Sequence, residues 1–257
     1  MSKEKEVKDF VKKRYGSIAK EDKCCCQSCC SWEASEGAKT LGYTEEDLAK
    51  IPKEAVEIGL GCGNPTALAG IKEGEVVLDL GSGGGVDVFL AANRVGPDGR
   101  VIGVDMTDEM LDRARATAAK HGYHNVDFRK GDIERMPVQD ASVDVIVSNC
   151  VINLAYDKLK VFKEAFRVLK PGGRILISDI VTEGDIPEDV RASFDAWAGC
   201  IAGALERADY LDTIRKAGFG DIRVVREHIY SEPDMDPRLK GKIISLQVAS
   251  TKPCCGD

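Results

Sequence analysis

Residues 76–87 read Val-Val-Leu-Asp-Leu-Gly-Ser-Gly-Gly-Gly-Val-Asp. A short branched apolar run ending in Asp79 is the pattern of a strand buried in a parallel sheet. Gly81, Gly83, Gly84 and Gly85 then break the strand and turn the chain into a helix. Such a turn lets the backbone approach a nucleotide closely, and the following helix offers unpaired N–H groups to it. The spacing is not the dinucleotide fingerprint, whose third glycine would fall where Val86 stands. That argues against hydride transfer.

From residue 72 onward strand and helix patterns alternate, the signature of a parallel sheet with crossover helices. Strands are expected at 75–80, 100–105, 126–130, 143–148 and 174–180, followed by a closing pair at 222–230 and 242–249. Helices are expected at 86–95, from the N-cap Thr107 to 120, at 158–170 before Pro171-Gly172-Gly173, and at 209–217. Residues 187–205 carry Val190, Phe194, Trp197, Ile201 and Leu205 at helical spacing and predict a helical insertion, with Cys200 at the edge of its stripe. Ahead of the sheet, Val7, Phe10, Val11 and Ile18 predict an amphipathic helix over 4–20. The cysteine-rich stretch 21–43 reads as a mobile loop, 44–50 and 52–58 as short helices, and 59–65 as a tight Gly/Pro loop. One catalytic unit results, with a cap (1–70), a core (71–182), and an insertion, final strands and cysteine tail (183–257).

The charge of -7 is spread along the chain, with no basic stripe for nucleic acid or an anionic membrane. A small-molecule substrate and a cytoplasmic, monomeric enzyme are the expectation, because no apolar run reaches the roughly 20 residues of a membrane span. Ten cysteines then need a reason, since structural disulfides are uncommon in the cytosol. Cys24, Cys25, Cys26, Cys29 and Cys30 crowd one segment, Cys254 and Cys255 sit at the tail, and Cys62, Cys150 and Cys200 stand alone. Only three histidines exist, so base catalysis by imidazole is poorly supplied.

The Asp-x-Gly-x-Gly-x-Gly pattern resembles the first motif of the S-adenosylmethionine-dependent methyltransferases. The order of seven strands is similar to their class I, Rossmann-like arrangement: a mostly parallel sheet with helices on both faces. Ligands of such sheets lie beyond the carboxyl ends of the strands, where the strand order reverses. On that reading Asp79 and the Gly81, Gly83, Gly85 turn hold the methionine moiety. Asp105, with Met106 beside it, meets the ribose, and Asp132 with Ile133 meets the adenine. The plainer alternative is that Asp105 and Asp132 only begin turns, as Asp often does. After strand four stands Ser148-Asn149-Cys150-Val151-Ile152-Asn153, not the Asn/Asp-Pro-Pro-Tyr of enzymes that methylate nucleic-acid amines. Asn149 faces the transferred methyl in this arrangement.

Cys62, Cys150 and Cys200 come from three segments that this topology could bring to one rim. A lone free cysteine is more often a small apolar core residue than a functional one. Three sulfurs with few imidazoles select a soft atom. Structural zinc usually wants paired Cys-x2-4-Cys spacing, which only the Cys26–Cys29 region offers. Trivalent arsenic fits better, because three sulfurs hold it in a pyramid and its lone pair can take a methyl without a general base.

Four segments resemble the arsenite methyltransferase family: Asn149-Cys-Val-Ile-Asn-Leu154, Trp197-Ala-Gly-Cys-Ile-Ala-Gly-Ala-Leu205, Gly61-Cys-Gly-Asn-Pro65, and Tyr15-Gly16 followed by cysteines. The resemblance implies that Cys150 and Cys200 hold arsenic through catalysis. It implies that Cys62 and an N-terminal cysteine, Cys29 or Cys30, join in binding or in a disulfide relay, and that thioredoxin or glutathione is the reductant. It also has Tyr15 and Gly16 help close the cofactor pocket. The chain departs from many relatives in its five clustered cysteines and in Ala155-Tyr156 where Ser-Pro is common. Two other readings compete. A quinone or sterol C-methyltransferase would share the Leu-Lys-Pro-Gly-Gly segment but leave the three cysteines unexplained. A non-catalytic arsenic- or metal-binding protein would leave the glycine turn unexplained.

Overall fold

The structure is a computed structural model that describes residues 3–21, 43–57, 63–193, 200–230 and 235–254. Cys24, Cys25, Cys26, Cys29, Cys30, Cys62, Phe194, Trp197 and Cys255 lie outside the described residues, as do most of the expected 21–43 loop and part of the 59–65 loop.

The core is a seven-stranded sheet made of β1 (Val76–Leu80), β2 (Arg100–Asp105), β3 (Val126–Lys130), β4 (Val143–Asn149), β5 (Leu169–Thr182), β6 (Gly220–Ile229) and β7 (Ile243–Thr251), in the order β3-β2-β1-β4-β5-β7-β6. The first five strands pair in parallel, and β7 runs antiparallel between β5 and β6. Strand limits fall within two residues of those read from the sequence, except that β5 starts five residues early. There the chain leaves the preceding helix directly into pairing, with Leu169 opposite Val143. Val77, Leu78 and Leu80 are fully enclosed, as expected of a strand covered on both faces.

Helices α5 (Val86–Val95) and α6 (Asp108–His121) cover one side, where Val88, Phe89, Leu111 and Ala114 close on Val77 and Val145. Helices α7 (Lys158–Val168) and α9 (Arg207–Lys216) cover the other, where Phe162, Tyr210 and Ile214 close on Leu78 and Ile146. Gly122 caps α6 in the left-handed conformation at φ 72°. Ahead of the sheet lie α1 (Lys3–Glu21), α2 (Glu45–Ala49), α3 (Lys53–Val56) and α4 (Pro65–Leu68). Thr44 caps α2 by accepting from the Asp47 N–H at 3.0 Å. The tight loop expected through residue 65 ends one residue sooner, because Pro65 opens α4 with its fixed φ. Val7 and Val11 of α1 are buried, worth about 2 kcal/mol each. They pack with Leu154, Ile180, Cys200 and Met235 in a third apolar cluster that lies over the carboxyl ends of the strands.

The expected helix over 187–205 is corrected. Only α8 (Glu188–Ala192) is helical among its described residues, and Ser193 ends it in an extended conformation. Cys200 lies in a turn at φ 65°, not on a helix face. Two features override the periodicity. Gly203 follows the cysteine and weakens any helix there. The Thr182 N–H also donates to the Leu205 carbonyl at 2.9 Å, which draws this segment alongside the end of β5 as extended chain.

In the glycine turn, Gly81 has φ 66° and a Cβ there would overlap the Val151 side chain, whereas Gly83 has φ 48° with nothing within 4 Å of the same position. Gly81→Ala should therefore lose roughly 3 kcal/mol, from left-handed strain plus overpacking, and Gly83→Ala only about 1–2 kcal/mol from strain. Urea unfolding of both variants at unchanged m-value checks the contrast.

Candidate active site

The strand order reverses between β1 and β4, and a cavity opens beyond their carboxyl ends. Its floor is Asp79, Gly81, Gly83 and Asn149, its flank is Asp105, Met106, Asp132 and Ile133, and its outer wall includes Lys8, Val11 and Tyr15 of α1. Of the residues expected there, Gly16 and Gly85 stand apart. Gly16 is buried against the Glu109 carboxylate of α6. Gly85, at φ 94°, is the N-cap of α5, and a Cβ on it would meet the Phe89 ring. Both shape the wall without lining it.

Three acids ring the cavity in different electrostatic settings. Asp79 is 3% exposed and has no hydrogen-bond partner among the described residues. Burial, and next the charges of Asp87 and Asp105, push its carboxyl well above the usual range. Such a group is suited to a cation or a strong donor entering the cavity. Asp105 accepts from the Gly83 N–H at 2.9 Å and the Thr107 N–H at 2.8 Å. Burial raises its pKa as well, and those N–H groups offset part of the shift. Each carboxylate oxygen is thereby held by one backbone donor, and the remaining lone pairs can accept from a ligand. Asp132 accepts from the Glu134 N–H and from the Lys8 ammonium, each at 2.8 Å.

Behind the floor lies a buried polar network that the sequence did not reveal. Asn149 donates to the Gly63 carbonyl at 2.6 Å, the Tyr43 hydroxyl at 2.9 Å and Asp87 Oδ2 at 3.1 Å. Thr66 donates to Asp87 Oδ1 at 2.7 Å. The only sequence signal was Asn149 itself, at the end of strand four.

Cys150 lines the cavity, and Cys200, which does not line it, is buried against Cys150. The Cys150 backbone is at φ 56°, and its N–H donates to the Ser178 carbonyl at 2.8 Å. Cys200 is 5% exposed, and its Sγ lies 2.9 Å from the Cys150 carbonyl oxygen. Among the described residues only Ala141, Cys150, Cys200 and Asp221 are non-glycines at positive φ. Two of these four are cysteines that touch, and local strain of this kind collects at functional sites. Burial, then the nearby Asp179 charge, drives the Cys200 thiol far above its ordinary pKa, so it is protonated at neutral pH. Cys150 is disulfide-bonded, and Cys200 and Cys254 are free, so neither is its partner. The third expected sulfur, Cys62, is outside the described residues, though its neighbour Gly63 abuts Ser178 and Asn149. Among the described residues no three His, Cys, Asp or Glu side chains could hold a metal ion, and no helix is long and apolar enough to cross a membrane.

Residues 71–218 match the methyltransferase-domain family, and with the strand order, the glycine turn and the cavity at the reversal point they define a class I methyltransferase. The chain is 43% identical to the arsenite methyltransferase of Halobacterium salinarum, over 98% of this chain and 68% of that protein. It is 33% identical to the arsenite methyltransferase of Mus musculus, over 87% of this chain and 61% of that one. The crystal structure of an arsenic(III) S-adenosylmethionine methyltransferase from Chlamydomonas reinhardtii superimposes with a TM-score of 0.73 at 37% identity, covering 82% of this chain and 73% of that chain. The chain belongs to the arsenite methyltransferase family, and it spans about two thirds of the length of these curated relatives.

A carboxyl whose folded pKa is raised binds more protons folded than unfolded, so its contribution to stability falls as pH rises from about 4, the unfolded value. Asp79→Asn should therefore raise the melting temperature of the ligand-free protein near neutral pH and flatten its decline between pH 5 and pH 8. Thermal melts across that range check it, and an unchanged slope would clear Asp79 of the strain.

Proposed function

We propose that this chain transfers a methyl group from S-adenosylmethionine to trivalent arsenic held by cysteine sulfur, where Cys200 abuts the cavity-lining Cys150. The observation that carries the reading is the pairing of two left-handed cysteines, Sγ of one against the carbonyl of the other, on the edge of a cavity walled by Asp79, Asp105 and Asp132.

The residues fit the methyl donor. Asp79, buried and unpartnered among the described residues, receives the ammonium of the methionine moiety. The N–H groups that open α5 receive its carboxylate. Asp105 accepts from ribose hydroxyls beside Met106, Asp132 and Ile133 meet the purine, and Tyr15 closes the outer wall. When bound, S-adenosylmethionine supplies a methyl carbon made electrophilic by a sulfonium.

Arsenite arrives as a neutral trihydroxide or thiol complex. Each protonated cysteine thiol forms an As–S bond by displacing hydroxide, and the thiol proton leaves with it as water. No charge is created in the site, which suits a Cys200 thiol that burial keeps protonated. The arsenic lone pair then serves as nucleophile, so no general base is needed, and none of the three histidines lines the cavity. The chain's work is to hold arsenic at a fixed approach to the methyl. Cys62 is the third sulfur, and Gly63 beside it is tied to Asn149, the residue before Cys150. Methyl transfer leaves arsenic pentavalent. Two cysteine thiols, Cys62 or Cys29 or Cys30 among them, return it to the trivalent state by closing a disulfide. Thioredoxin or glutathione reopens that disulfide by thiol exchange. The disulfide at Cys150 is consistent with a site that cycles in this way.

Purified protein given arsenite, a thiol and S-adenosylmethionine should produce methylated arsenic, detected by chromatography coupled to elemental mass spectrometry. Cys150→Ser and Cys200→Ser should each lose about 100-fold, the scale on which misplaced reactants lose rate, while still binding the cofactor. Methylation that survives both substitutions would defeat the assignment.

A further inference from the structure

Lys8 was not anticipated as a site residue, yet its ammonium lies 2.8 Å from Asp132 Oδ2, 2.9 Å from Glu134 Oε2 and 3.0 Å from Glu4 Oε1. Its three N–H donors are thus matched by three carboxylates. The partners differ in rigidity. Glu4 belongs to the same helix one turn away, and its side chain is half-exposed. Glu134 is 2% exposed, and its other oxygen accepts from the Tyr156 N–H at 3.1 Å and the Asp157 N–H at 3.3 Å. It is a fixed post between β3 and the loop that follows Cys150. Asp132 lines the cavity and keeps 40% of its side chain exposed. Each Asp132 oxygen already holds one donor from the protein, Lys8 on Oδ2 and the Glu134 N–H on Oδ1. The carboxylate is therefore fixed from two sides, and what it offers the cavity is its remaining lone pairs.

We propose that Lys8 is a positioning residue for the purine end of the cavity: from α1 it fixes the Asp132 carboxylate as an acceptor-only edge that favours a 6-amino purine over a 6-oxo one. The inference rests on the reading that the cavity takes an S-adenosyl ligand. An ionised carboxylate accepts from an exocyclic amine and repels a ring carbonyl, so discrimination depends on how firmly its oxygens are held. Freed of Lys8, Asp132 keeps a single backbone tether and can swing away from either ligand. Lys8 also makes the outer wall part of the recognition, since Val11 and Tyr15 of the same helix line the cavity.

The test is calorimetric titration of the intact, reduced chain with S-adenosylhomocysteine and with S-inosylhomocysteine. Wild type should bind the adenosyl ligand more tightly. Lys8→Met, which keeps the apolar stem, should weaken the adenosyl ligand about tenfold, the loss expected of one charge-assisted contact, and leave the inosyl ligand nearly unchanged. Lys8→Arg should recover part of the preference. Lys8→Gln, neutral but still able to hydrogen-bond, should repeat the loss and serves if the methionine variant folds poorly. Equal weakening of both ligands would show that Lys8 merely staples the helix, and no weakening would show that Asp132 is held without it; either overturns the proposal. Wild type binding neither ligand would refute the cofactor reading itself, and the proposal with it.

Discussion

A buried carboxylate at the end of the central strand governs this structure. Asp79 pairs in register with Gly103 on one side and Val147 on the other, so it cannot move without breaking the sheet. Taking an unpaired carboxylate out of water is costly, and among the described residues no salt bridge neutralises it. Instead the next residue but one, Gly81, turns left-handed and opens a space in front of it. The same turn delivers Gly83, whose N–H fixes Asp105, and Gly85, which starts α5. A buried acid that burial favours in its neutral form and a left-handed glycine turn in front of it are thus one device. On the proposed reading, the ammonium of the methionine moiety would return the stability forgone there, since ligand binding adds to the folded state alone.

The sulfur side follows a similar logic with different residues. A left-handed backbone at a non-glycine costs about 1–2 kcal/mol, and both Cys150 and Cys200 adopt it. Each is held by contacts that outlast the strain: the Cys150 N–H by Ser178 of β5, and Cys200 by its turn against β5 and by burial with Val7, Val11 and Ile180. A glycine would take these conformations at less cost, so the side chain is what the strain is kept for. Tyr210 donates to Asp179 at 3.1 Å, and burial pushes that carboxyl up to about 7 while the enclosed Lys158 opposes the shift. Cys200 therefore sits beside a paired polar group, in a setting that favours its neutral thiol.

The parallel core was legible because its signals are local. Alternating apolar runs and the turns between them act through nearest neighbours, and every strand but β5 falls within two residues of where those signals put it; the helix expected to run to residue 170 ends at Val168, because the chain enters β5 there. Asp79, Asp105 and Asp132 were legible for the same reason, since each lies at or within two residues of a strand's carboxyl end. What escaped was set by distant contacts. The 187–205 stripe has helical period, but Leu205 is drawn to Thr182, and periodicity carries no record of such a bond. Lys8 looked like one more solvated charge on an amphipathic helix until Asp132 and Glu134 arrived from more than a hundred residues away. Tyr43 fell in a segment read as loop and Thr66 in a stretch given no element, and their role comes only from meeting Asp87 and, for Tyr43, Asn149.

That last meeting couples the two halves of the site. Asn149 precedes Cys150 in the chain, Gly63 follows Cys62, and Asp87 lies two residues past the N-cap of the helix that faces the cofactor. The Asn149 amide, with two hydrogens and three acceptors in reach, cannot satisfy all of them at once, so its hydrogen bonds are shared. In a buried network each bond depends on the orientation of the next. Asp87 sits in the first turn of α5, so the position of that helix and the hold of Asn149 on the Gly63 carbonyl are linked through one hydrogen-bond network. On the proposed reading the cysteine rim and the glycine turn are therefore not separate modules on one sheet: one polar network touches both, and the approach of arsenic to the methyl would depend on it.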